Sequence, residues 1–487
     1  DEAVHIGPAA ASESYLVIDK IVDACKRTGA EAVHPGYGFL SENPGFAEAC
    51  ERDGVIFVGP TPAIMRTLGN KVAARNAAVA AGVPVMPATP PLPADLATAQ
   101  ALAREVGYPV MLKASWGGGG RGMRVIENDA QLADLLPVAR REALAAFGND
   151  EVYLEKLVRH ARHVEVQILG DRHGNLVHLH ERDCTVQRRN QKVVERAPAV
   201  FLTDAQRAGL CEAGLAIGRA VRYLNAGTVE FLQDAASGKF YFIEVNPRIQ
   251  VEHTVTECAT GIDIVKAQIH IAAGARIGTP QSGVPPQGEI RVMAHALQCR
   301  ITTEDPENGF IPDYGRLTAY RSPAGFGIRL DAGTAYTGAI ITRSYDSLLV
   351  KVTAWAPTPE EASARLPRAL WEFRIRGVVT NLRFLDQVIT HPAFASGEYT
   401  TRFVDTTPEL FHFPRKRDRA TRMLTYLAVT IVNGNPGTKA RPRPVRLGLA
   451  RLPKVALQSA PPAGTKQKLD ELGPEKFAQW MLADQRV

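Results

Sequence analysis

The sequence is poor in the features that mark several large classes of protein. It has six cysteines in 487 residues and no Cys-x-x-Cys pair, which argues against a disulfide framework and favours reduced thiols in a cytosol-like compartment. No run of about 18 apolar residues is free of charges and prolines, so no membrane-spanning helix is expected. The chain also has no internal repeat and no Gly-Lys-Ser/Thr sequence, which excludes a Walker A nucleotide site.

The chain also has only a small excess of one sign of charge. The 57 basic and 51 acidic residues leave a net charge of +6, and they are interspersed over most of the chain, so no nucleic-acid-binding surface is expected. The 45% of hydrophobic residues can fill several cores, which excludes a largely disordered chain. At about 150 residues per domain, the length predicts about three units.

The order of apolar runs predicts a chain of mixed α/β and α+β class. Strands near residues 31–35 and 54–59, separated by a helix, indicate βα units and a parallel sheet. A helix over Lys71–Ala81 ends at Gly82, before a proline-rich connector. Residues 153–249 and 289–355 are strand-rich, a helix follows over Pro359–Phe373, and residues 435–466 indicate a linker.

A glycine loop, Gly117–Gly122, satisfies the pattern G-x-G-x-x-G. In a dinucleotide-binding turn this pattern opens a helix, whereas here the strand Met123–Ile126 follows. We therefore predict a flap between two antiparallel strands, whose bare amides can cover a polyphosphate. A hairpin without any ligand is the alternative. Lys113, at the end of the strand that enters the loop, and Lys71, in the preceding helix, are candidate phosphate ligands.

An acidic hairpin follows at residues 227–248. If Gly238 forms a bulge so that Leu232 faces Phe242, Glu230 faces Glu244 on the same side, with Cβ atoms about 5 Å apart. Two such carboxylates repel one another unless they share a proton or a cation. Oxygen ligands of this kind favour Mg²⁺ or Mn²⁺ over zinc; a solvent-exposed charged strand is the alternative.

A pair of histidines, His178 and His180, suggests a zinc site at first sight. The two share a strand face near Cys184, but no third and fourth ligand follow at regular spacing. We interpret them as structural.

Four long motifs together identify a family. They resemble, in order along about residues 1–410, the biotin carboxylase component of biotin-dependent carboxylases, which has an ATP-grasp fold: His34-Pro-Gly-Tyr-Gly-Phe-Leu-Ser-Glu-Asn43, Lys113-Ala-Ser-Trp-Gly-Gly-Gly-Gly-Arg-Gly-Met123, Asp183-Cys-Thr-Val-Gln-Arg-Arg-Asn-Gln-Lys192 and Phe242-Ile-Glu-Val-Asn-Pro-Arg-Ile-Gln-Val-Glu-His253. The tail, Asp470–Trp480, resembles the stretch before the carboxyltransferase domain in a multidomain branch of these enzymes.

The resemblance implies a reaction. ATP phosphorylates bicarbonate to carboxyphosphate, which yields the CO₂ that carboxylates N1′ of biotin. Glu252 is the base that deprotonates bicarbonate, and Arg300 stabilises the biotin enolate. The adenine is expected in the hinge at residues 155–157, and the ATP phosphates and ribose at Lys71, Lys113 and His163.

The full set of implied site residues has four parts. The catalytic residues are Arg248, Glu252, Arg300 and Lys192. Bicarbonate and biotin contact Gln250, the Val251 amide, Arg248 and Arg300. The metal ligands are Glu230, Glu244 and Asn246. The ATP contacts are Lys71, Lys113, Gly118, Gly119, Glu155, Lys156, Leu157, His163, Gln187, Leu232 and Asn190, the last at a position where many relatives carry His.

The resemblance also implies an organisation. We expect an incomplete N-terminal subdomain at 1–67, a linker helix and lid with the glycine flap at 68–157, the C-terminal ATP-grasp subdomain at 158–410 and a segment leading to a missing carboxyltransferase domain at 411–487. The chain is thus expected to be a fragment at both ends. No Ala/Met-Lys-Met sequence occurs, so biotin is expected on a carrier elsewhere, and a homo-oligomer is expected: a dimer of these domains, or a tetramer in the multidomain branch.

Three other functions remain open at this point. The first is the biotin carboxylase of an acyl-CoA carboxylase. The second is another ATP-grasp ligase, which would lack the run from Arg248 to Glu252. The third is an inactive module that binds Mg·ATP without bicarbonate-dependent turnover.

Overall fold

The computed structural model describes residues 2–116, 123–333, 335–413, 419–433, 468, 470–473 and 476. Two units are distinguished, Asp1–His412 and Phe413–Val487. The second contains the helix Arg419–Asn433. Two segments interpreted from sequence, the glycine loop Gly117–Gly122 and the linker 435–466, lie outside the described residues.

The helices, in chain order, are α1 (Ile18–Thr28), α2 (Pro44–Arg52), α3 (Pro62–Gly69), α4 (Lys71–Ala80), α5 (Leu96–Val106), α6 (Asp129–Phe147), α7 (Asp204–Ala220), α8 (His253–Thr260), α9 (Ile264–Ala272), α10 (Pro359–Glu372), α11 (Leu382–Thr390), α12 (Pro392–Ser396), α13 (Phe403–Thr406) and α14 (Arg419–Asn433). Among the described helices, none has the length and apolar character that a bilayer crossing requires.

The strands are β1 (Ala32–Val33), β2 (Ile56–Phe57), β3 (Val110–Ala114), β4 (Arg124–Ile126), β5 (Val152–Lys156), β6 (Ala161–Gly170), β7 (Leu176–Arg188), β8 (Gln191–Ala197), β9 (Asn225–Asp234), β10 (Phe240–Asn246), β11 (His295–Thr302), β12 (Glu304–Asp305), β13 (Ile311–Pro312), β14 (Gly315–Arg316), β15 (Ala319–Arg321), β16 (Ile328–Ala332), β17 (Ile340–Ile341), β18 (Leu348–Ala356) and β19 (Arg374–Arg376).

The N-terminal segment has the expected parallel pairing. β1 pairs in parallel with β2, and α2 lies between them in sequence. The start of α2 follows from its residues, because the Asn43 side chain accepts a hydrogen bond from the Phe46 amide at 3.1 Å and Pro44 occupies the first turn. These are favourable N-terminal capping features. The buried face of α2 then packs Phe46 against Phe57 of β2.

A small antiparallel sheet, ordered β4-β3-β5, carries the strands on either side of the glycine loop. Its core includes Leu112 and Leu154 from the sheet and Leu132 from α6, all fully buried. The predicted antiparallel pairing of the two strands that flank the loop is confirmed.

The largest sheet has eight strands in the order β10-β9-β6-β7-β8-β11-β18-β16, and every neighbouring pair is antiparallel. The helix α7 interrupts the region that we expected to be strand-rich. Its sequence signal is a capping box, in which Thr203 accepts from the Gln206 amide and Gln206 reaches back to the Thr203 backbone. That pattern starts a helix whatever the surrounding propensities.

Candidate active site

Two glutamates face one another across the β9–β10 hairpin. Glu230 and Glu244 are Cα partners, as are Thr228 and Asn246. This pairing depends on a bulge between Phe242 and Glu244, because one extra residue reverses the side on which the following side chains lie. Without it, Glu244 would fall on the core side with Phe242. The predicted opposition of the two glutamates is confirmed.

The predicted pairing of Leu232 with Phe242, near the turn, is wrong. Leu232 is the partner of Tyr241, not of Phe242, and Phe242 is the partner of Phe231. Phe242 is 2% exposed and packs in the core with Phe231, so it lies on the opposite face of the hairpin from the two glutamates. Gly238 lies in the turn with φ +69°, and the bulge, at Ile243, is five residues further on. Leu232 remains half-buried.

Four side chains contact the carboxylate of Glu230. Its Oε1 accepts hydrogen bonds from Lys192 at 2.8 Å, Asn246 at 2.8 Å and Gln250 at 2.9 Å. Its Oε2 lies 3.2 Å from Nε2 of His163. Burial by itself raises the pKa of Glu230, but the charges of Lys192 and His163 outweigh it and hold that pKa well below its usual range. Glu230 is therefore ionised.

Lys192 joins three acidic side chains. Its Nζ lies 2.5 Å from Glu165, 2.8 Å from Glu230 and 2.6 Å from Glu252. Burial lowers the pKa of Lys192, but the three carboxylates raise it well above its usual value. The lysine is a fixed cation between Glu230, a predicted metal ligand, and Glu252, the predicted base.

The buried arginine Arg182 supports this group, and sequence reasoning missed it. Its side chain is 0% exposed and donates hydrogen bonds to Glu165, Gln167, Thr228, Thr256 and Gln250. A signal was available, because an arginine inside a long strand needs buried partners to compensate its desolvation. Arg182 and Glu165 belong to the site as residues that position Lys192 and Gln250.

Glu252 lies between two cations. Its Oε1 contacts Lys192, and its Oε2 lies 3.0 Å from Arg300. Arg300 is held by Glu195 at 2.5 Å, on the neighbouring strand β8. Burial raises the pKa of Glu252, but Lys192 and then Arg300 outweigh it and lower the pKa to about 2. The carboxylate is thus available as a proton acceptor, but it is a weak one while both cations remain in contact.

The segment after β10 is not extended. β10 ends at Asn246, and Glu252 caps α8 with φ −85° and ψ 6°. Arg248 contacts Glu42 and the Asn246 side chain, whereas Glu252 turns toward Arg300. The base and the expected anion-binding arginine are therefore not neighbours along one strand face. The Val251 carbonyl accepts a hydrogen bond from Lys351 at 2.9 Å.

The two candidate phosphate lysines already have acidic partners. Lys71, in the first turn of α4, lies 3.4 Å from Glu244. Lys113 forms an ion pair with Glu155, and both side chains are buried. The Lys71 contact places an expected phosphate ligand beside the predicted metal-binding pair. The Lys113 contact joins a residue expected at the phosphates to one expected at the adenine.

Several hydrogen-bond donors of the hinge residues 155–157 already have partners within the protein. The Lys156 ammonium donates to the carbonyls of Gly107 at 2.6 Å and Tyr108 at 3.2 Å. The amides of Lys156 and Leu157 donate to Pro87 and Pro109. Adenine recognition here would therefore rest on backbone carbonyls, or on opening one of these bonds.

His163 lies between the acidic group and Gln187. The Gln187 amide nitrogen is 2.8 Å from Nδ1 of His163, and Nε2 faces Glu230 and Glu165. Burial lowers the pKa of His163, but Glu230 and then Glu165 outweigh it and raise the pKa to about 9. The Nε2 atom is buried and has no well-aligned hydrogen bond among the described residues.

Asn190 has a structural role in the β7–β8 turn. Arg189 and Asn190 have φ values of +48° and +63°, between the paired residues Arg188 and Gln191. Asparagine tolerates this left-handed conformation better than most residues. The Asn190 side chain is exposed, and an ATP contact there remains a prediction. The flap residues Gly118 and Gly119 lie outside the described part of the chain.

The two histidines of β7 are not near Cys184. Cys184 lies with Glu165 and Glu252 on the active-site side, whereas His178 and His180 lie with Cys211. The predicted placement of the two histidines near Cys184 is therefore wrong. The reason is an extra residue in β7 after His178: Ile168 pairs with His178, but Val166, two residues away, pairs with Glu181, three residues away.

Comparisons with known proteins match three consecutive parts of the chain. Three family models match: "Biotin carboxylase, N-terminal domain" over residues 1–65, "Carbamoyl-phosphate synthase L chain, ATP binding domain" over 70–279 and "Biotin carboxylase C-terminal domain" over 298–406. The antiparallel sheet with its facing glutamates, the small sheet flanking a glycine loop and these matches together define an ATP-grasp enzyme. The expected fold class is confirmed.

Individual relatives narrow the class further. The biotin carboxylase domain of Hydrogenobacter thermophilus 2-oxoglutarate carboxylase, solved as a dimer with MgADP, ADP and bicarbonate, is 42% identical with a TM-score of 0.80, covering 85% of this chain and 88% of that one. The chain belongs to the biotin carboxylase family.

Longer relatives match nearly the whole chain. Rhizobium etli pyruvate carboxylase T882A, solved with the allosteric activator acetyl coenzyme A, is 65% identical with a TM-score of 0.81, covering 99% of this chain and 42% of that one. Pyruvate carboxylase of Bacillus subtilis is 49% identical over 491 residues, 100% of this chain and 42% of the relative. The chain thus spans about two fifths of the length of the pyruvate carboxylases it matches.

Proposed function

We propose that this chain carries out the ATP- and bicarbonate-dependent carboxylation of biotin, the first half-reaction of pyruvate carboxylase. One observation carries the proposal: Lys192 connects the metal-binding carboxylate Glu230 to the carboxylate Glu252, which also contacts Arg300. A phosphoryl-transfer site and a proton-accepting site are thereby joined by one cation. The charges of this group balance, because the four acids Glu165, Glu195, Glu230 and Glu252 face four cations, which are Lys192, Arg182, Arg300 and the protonated His163.

The residues present fit a divalent cation. Glu230 and Glu244 face one another, and Glu230 stays ionised although its side chain is only 7% exposed. Mg²⁺ or Mn²⁺ would be held by these two carboxylates with help from Asn246, whose side chain also donates to Glu230, and would neutralise charge on the ATP phosphates. Lys71 beside Glu244 and Lys113 at the end of β3 would hold phosphate oxygens. His163, Gln187 and Leu232 line the same side and would contact the nucleotide.

The proton step follows from the charges around Glu252. Its pKa of about 2 reflects contact with Lys192 and Arg300. When bicarbonate binds between Lys192, Arg248, Gln250 and the Val251 amide, it shares Lys192 with Glu252 and adds a negative charge nearby, so Glu252 becomes a stronger base. Glu252 then takes the bicarbonate proton, and a bicarbonate oxygen attacks the γ-phosphorus of ATP with ADP as the leaving group. The carboxyphosphate formed breaks into CO₂ and phosphate, the phosphate takes the N1′ proton of biotin, and Arg300 stabilises the resulting enolate as N1′ attacks CO₂.

The experiment is bicarbonate-dependent ATP cleavage with free biotin, measured for Glu252→Gln. A positioned general base contributes roughly 10²–10⁴-fold, so we expect a loss of that order with ATP binding retained. Glu257→Gln, a substitution on the same helix α8 but on a carboxylate that contacts Arg329, is the matched control and should keep its turnover. Full turnover in Glu252→Gln would show that another group is the base.

The remaining assignments rest on the relatives. The relatives that match 99–100% of this chain are pyruvate carboxylases, which favours pyruvate as the acceptor over an acyl-CoA. We infer a carboxyltransferase domain and a biotin carrier elsewhere in the complete enzyme, a homo-oligomer built on a dimer, and subdomains at 1–67, 68–157 and 158–410 followed by the segment 411–487. The free cysteines among the described residues support a cytoplasmic location, or the mitochondrial matrix in a eukaryote.

A further inference from the structure

A second group of ligating side chains lies behind the active site, between β7 and α7. One ring nitrogen each of His178 and His180 and the sulfur of Cys211 lie within 4.8 Å of one another. His178 pairs with Ile168, which packs in the same core as Cys211. The group therefore lies on the α7 side of the sheet, opposite the side on which Arg182 contacts Glu165.

An irregularity in β7 brings the two histidines to this side. Between the pairs Val166–Glu181 and Ile168–His178, Gln167 stands opposite two residues of β7. His180 is one of them and has φ +62°, a left-handed conformation that a histidine adopts at a cost. Bulges of this kind re-aim a side chain. The extra residue allows His178 to face α7 while Arg182 faces the active site.

The imidazole of His180 has unused bonding capacity. Both ring nitrogens are buried, and neither has a hydrogen-bond partner of normal geometry among the described residues, although the Ile290 backbone lies near the ring. Buried polar atoms in folded proteins almost always have partners. His178 also has a lone pair to offer, because its Nδ1 accepts only a 3.2 Å contact from the His180 backbone amide.

The group opens on one side to a cavity. His180 lines a space of about 370 Å³ together with Arg207 and Arg291. Arg207 is paired with Glu181 at 2.8 Å. A cation held by the two histidines and the cysteine thiolate would have one position facing this cavity, where the two arginines favour an anion.

We propose that His178, His180 and Cys211 form a binding site for a transition-metal ion of the Zn²⁺ type, with an exchangeable fourth position toward the cavity. Two imidazoles and a thiolate are the ligands that Zn²⁺ and Co²⁺ prefer, and three protein ligands leave one position open. This ligand set differs from the all-oxygen set at Glu230 and Glu244, which suits Mg²⁺. Binding displaces the Cys211 thiol proton to solvent and replaces the backbone contact to His178.

The test uses the full chain saturated with Mg·ADP, so that the oxygen site is filled, and titrates it with Co²⁺ as a spectroscopic substitute for Zn²⁺. We expect one tightly bound equivalent with a thiolate-to-cobalt charge-transfer band, and displacement by Zn²⁺. Cys211→Ser should lose the band, and His180→Phe should weaken Co²⁺ binding at least tenfold. Cys258→Ser, at a half-buried cysteine elsewhere, is the matched control and should behave as wild type.

Cys184→Ser separates this site from the active-site thiol, and it should keep the band. The proposal is overturned if wild type binds no tight equivalent beyond Mg·ADP, if the band survives in Cys211→Ser, or if it disappears in Cys184→Ser instead. Circular dichroism checks that each variant is folded. If Cys211→Ser fails to fold, His180→Phe decides: unchanged Co²⁺ affinity in that variant overturns the proposal.

Discussion

Arg248 and Glu42, 206 residues apart in sequence, form an ion pair in which Nε of the arginine lies 2.6 Å from Oε1 of the glutamate. The guanidinium also donates to the Ile249 carbonyl and to Asn246. Three contacts therefore fix the plane of an arginine that we expect to bind bicarbonate. Each of its two terminal nitrogens carries a second hydrogen, and these remain to be offered to an anion.

Removing Glu42 should weaken bicarbonate binding without weakening the fold. In Glu42→Ala we expect the KM for bicarbonate to rise roughly three- to tenfold with little change in kcat, because a disordered Arg248 loses part of its preorganisation. The pair is exposed at Glu42, so its loss should cost less than about 1 kcal/mol of stability. Glu42→Gln keeps an acceptor oxygen and should stay within about twofold of wild type. Equal effects in both variants would exclude a role in orienting Arg248.

Replacing Lys192 should destabilise the protein strongly in the absence of metal. Lys192→Met leaves Glu165, Glu230 and Glu252 buried without their shared cation, and losing one partner of a buried ion pair costs about 3–5 kcal/mol. Thermal unfolding with and without Mg²⁺ provides the check. Mg²⁺ replaces part of the missing charge at Glu230, so it should raise the melting temperature of Lys192→Met more than that of wild type. A smaller Mg²⁺ effect in the variant would place the metal away from Glu230.

The two hairpin glutamates should differ in their effects. Glu244 is partly exposed and contacts Lys71, whereas Glu230 is buried with four partners. Glu244→Gln should therefore weaken Mn²⁺ binding, by about tenfold if the metal loses one charged ligand, while the melting temperature changes little. Glu230→Gln should reduce both the Mn²⁺ affinity and the melting temperature. Electron paramagnetic resonance of free Mn²⁺ measures the first quantity, and unchanged Mn²⁺ affinity in Glu244→Gln would contradict the shared site.

The buried ring of His253 should make stability depend on pH on the acid side. Burial, and then the charge of Lys351, lowers the pKa of His253 to about 4. Between pH 6.5 and 4 the unfolded chain binds a proton that the folded chain does not, so this contribution is complete above pH 6.5 and is lost as the pH falls, by at most about 3 kcal/mol. His253→Gln should flatten the melting temperature over that range. The same substitution at the exposed His5 should not, and a parallel pH profile for both variants would contradict this assignment.

The sequence predicted the parts of the site that depend on residue type and spacing. Two glutamates that face one another in a hairpin predict a metal site because carboxylates at that separation repel unless they share a proton or a cation. This prediction does not depend on the exact position of the bulge. The position of the bulge was not predictable, because the bulged residue, Ile243, is neither a glycine nor an asparagine. The position is set instead by the packing of Phe242 against Phe231. Arg182 and Glu165 were missed for a related reason: each is compensated by residues distant in sequence, and only the folded sheet brings these together.

Helix α7 shows the opposite case. The sequence contains its capping box, at Thr203 and Gln206. We nevertheless did not predict the helix, because the strands on either side suggested a continuous hairpin region. The same helix supplies Cys211, so the third ligand beside His178 and His180 could not be found by spacing along one strand. The histidines came from one element and the cysteine from another.

The bulge at Ile243 gives β10 one residue more than β9 between two paired positions, Phe242 with Phe231 and Glu244 with Glu230. Because of this residue, the apolar side chain before the bulge and the acid after it lie on opposite faces of the hairpin. Deleting Ile243 would leave a regular ladder with the same two pairs, whereas inserting a second residue there would carry Glu244 toward Thr228 and separate the two acids. An engineer who wishes to retune this enzyme can therefore shorten β10 at this point, but cannot lengthen it there without losing the facing glutamates.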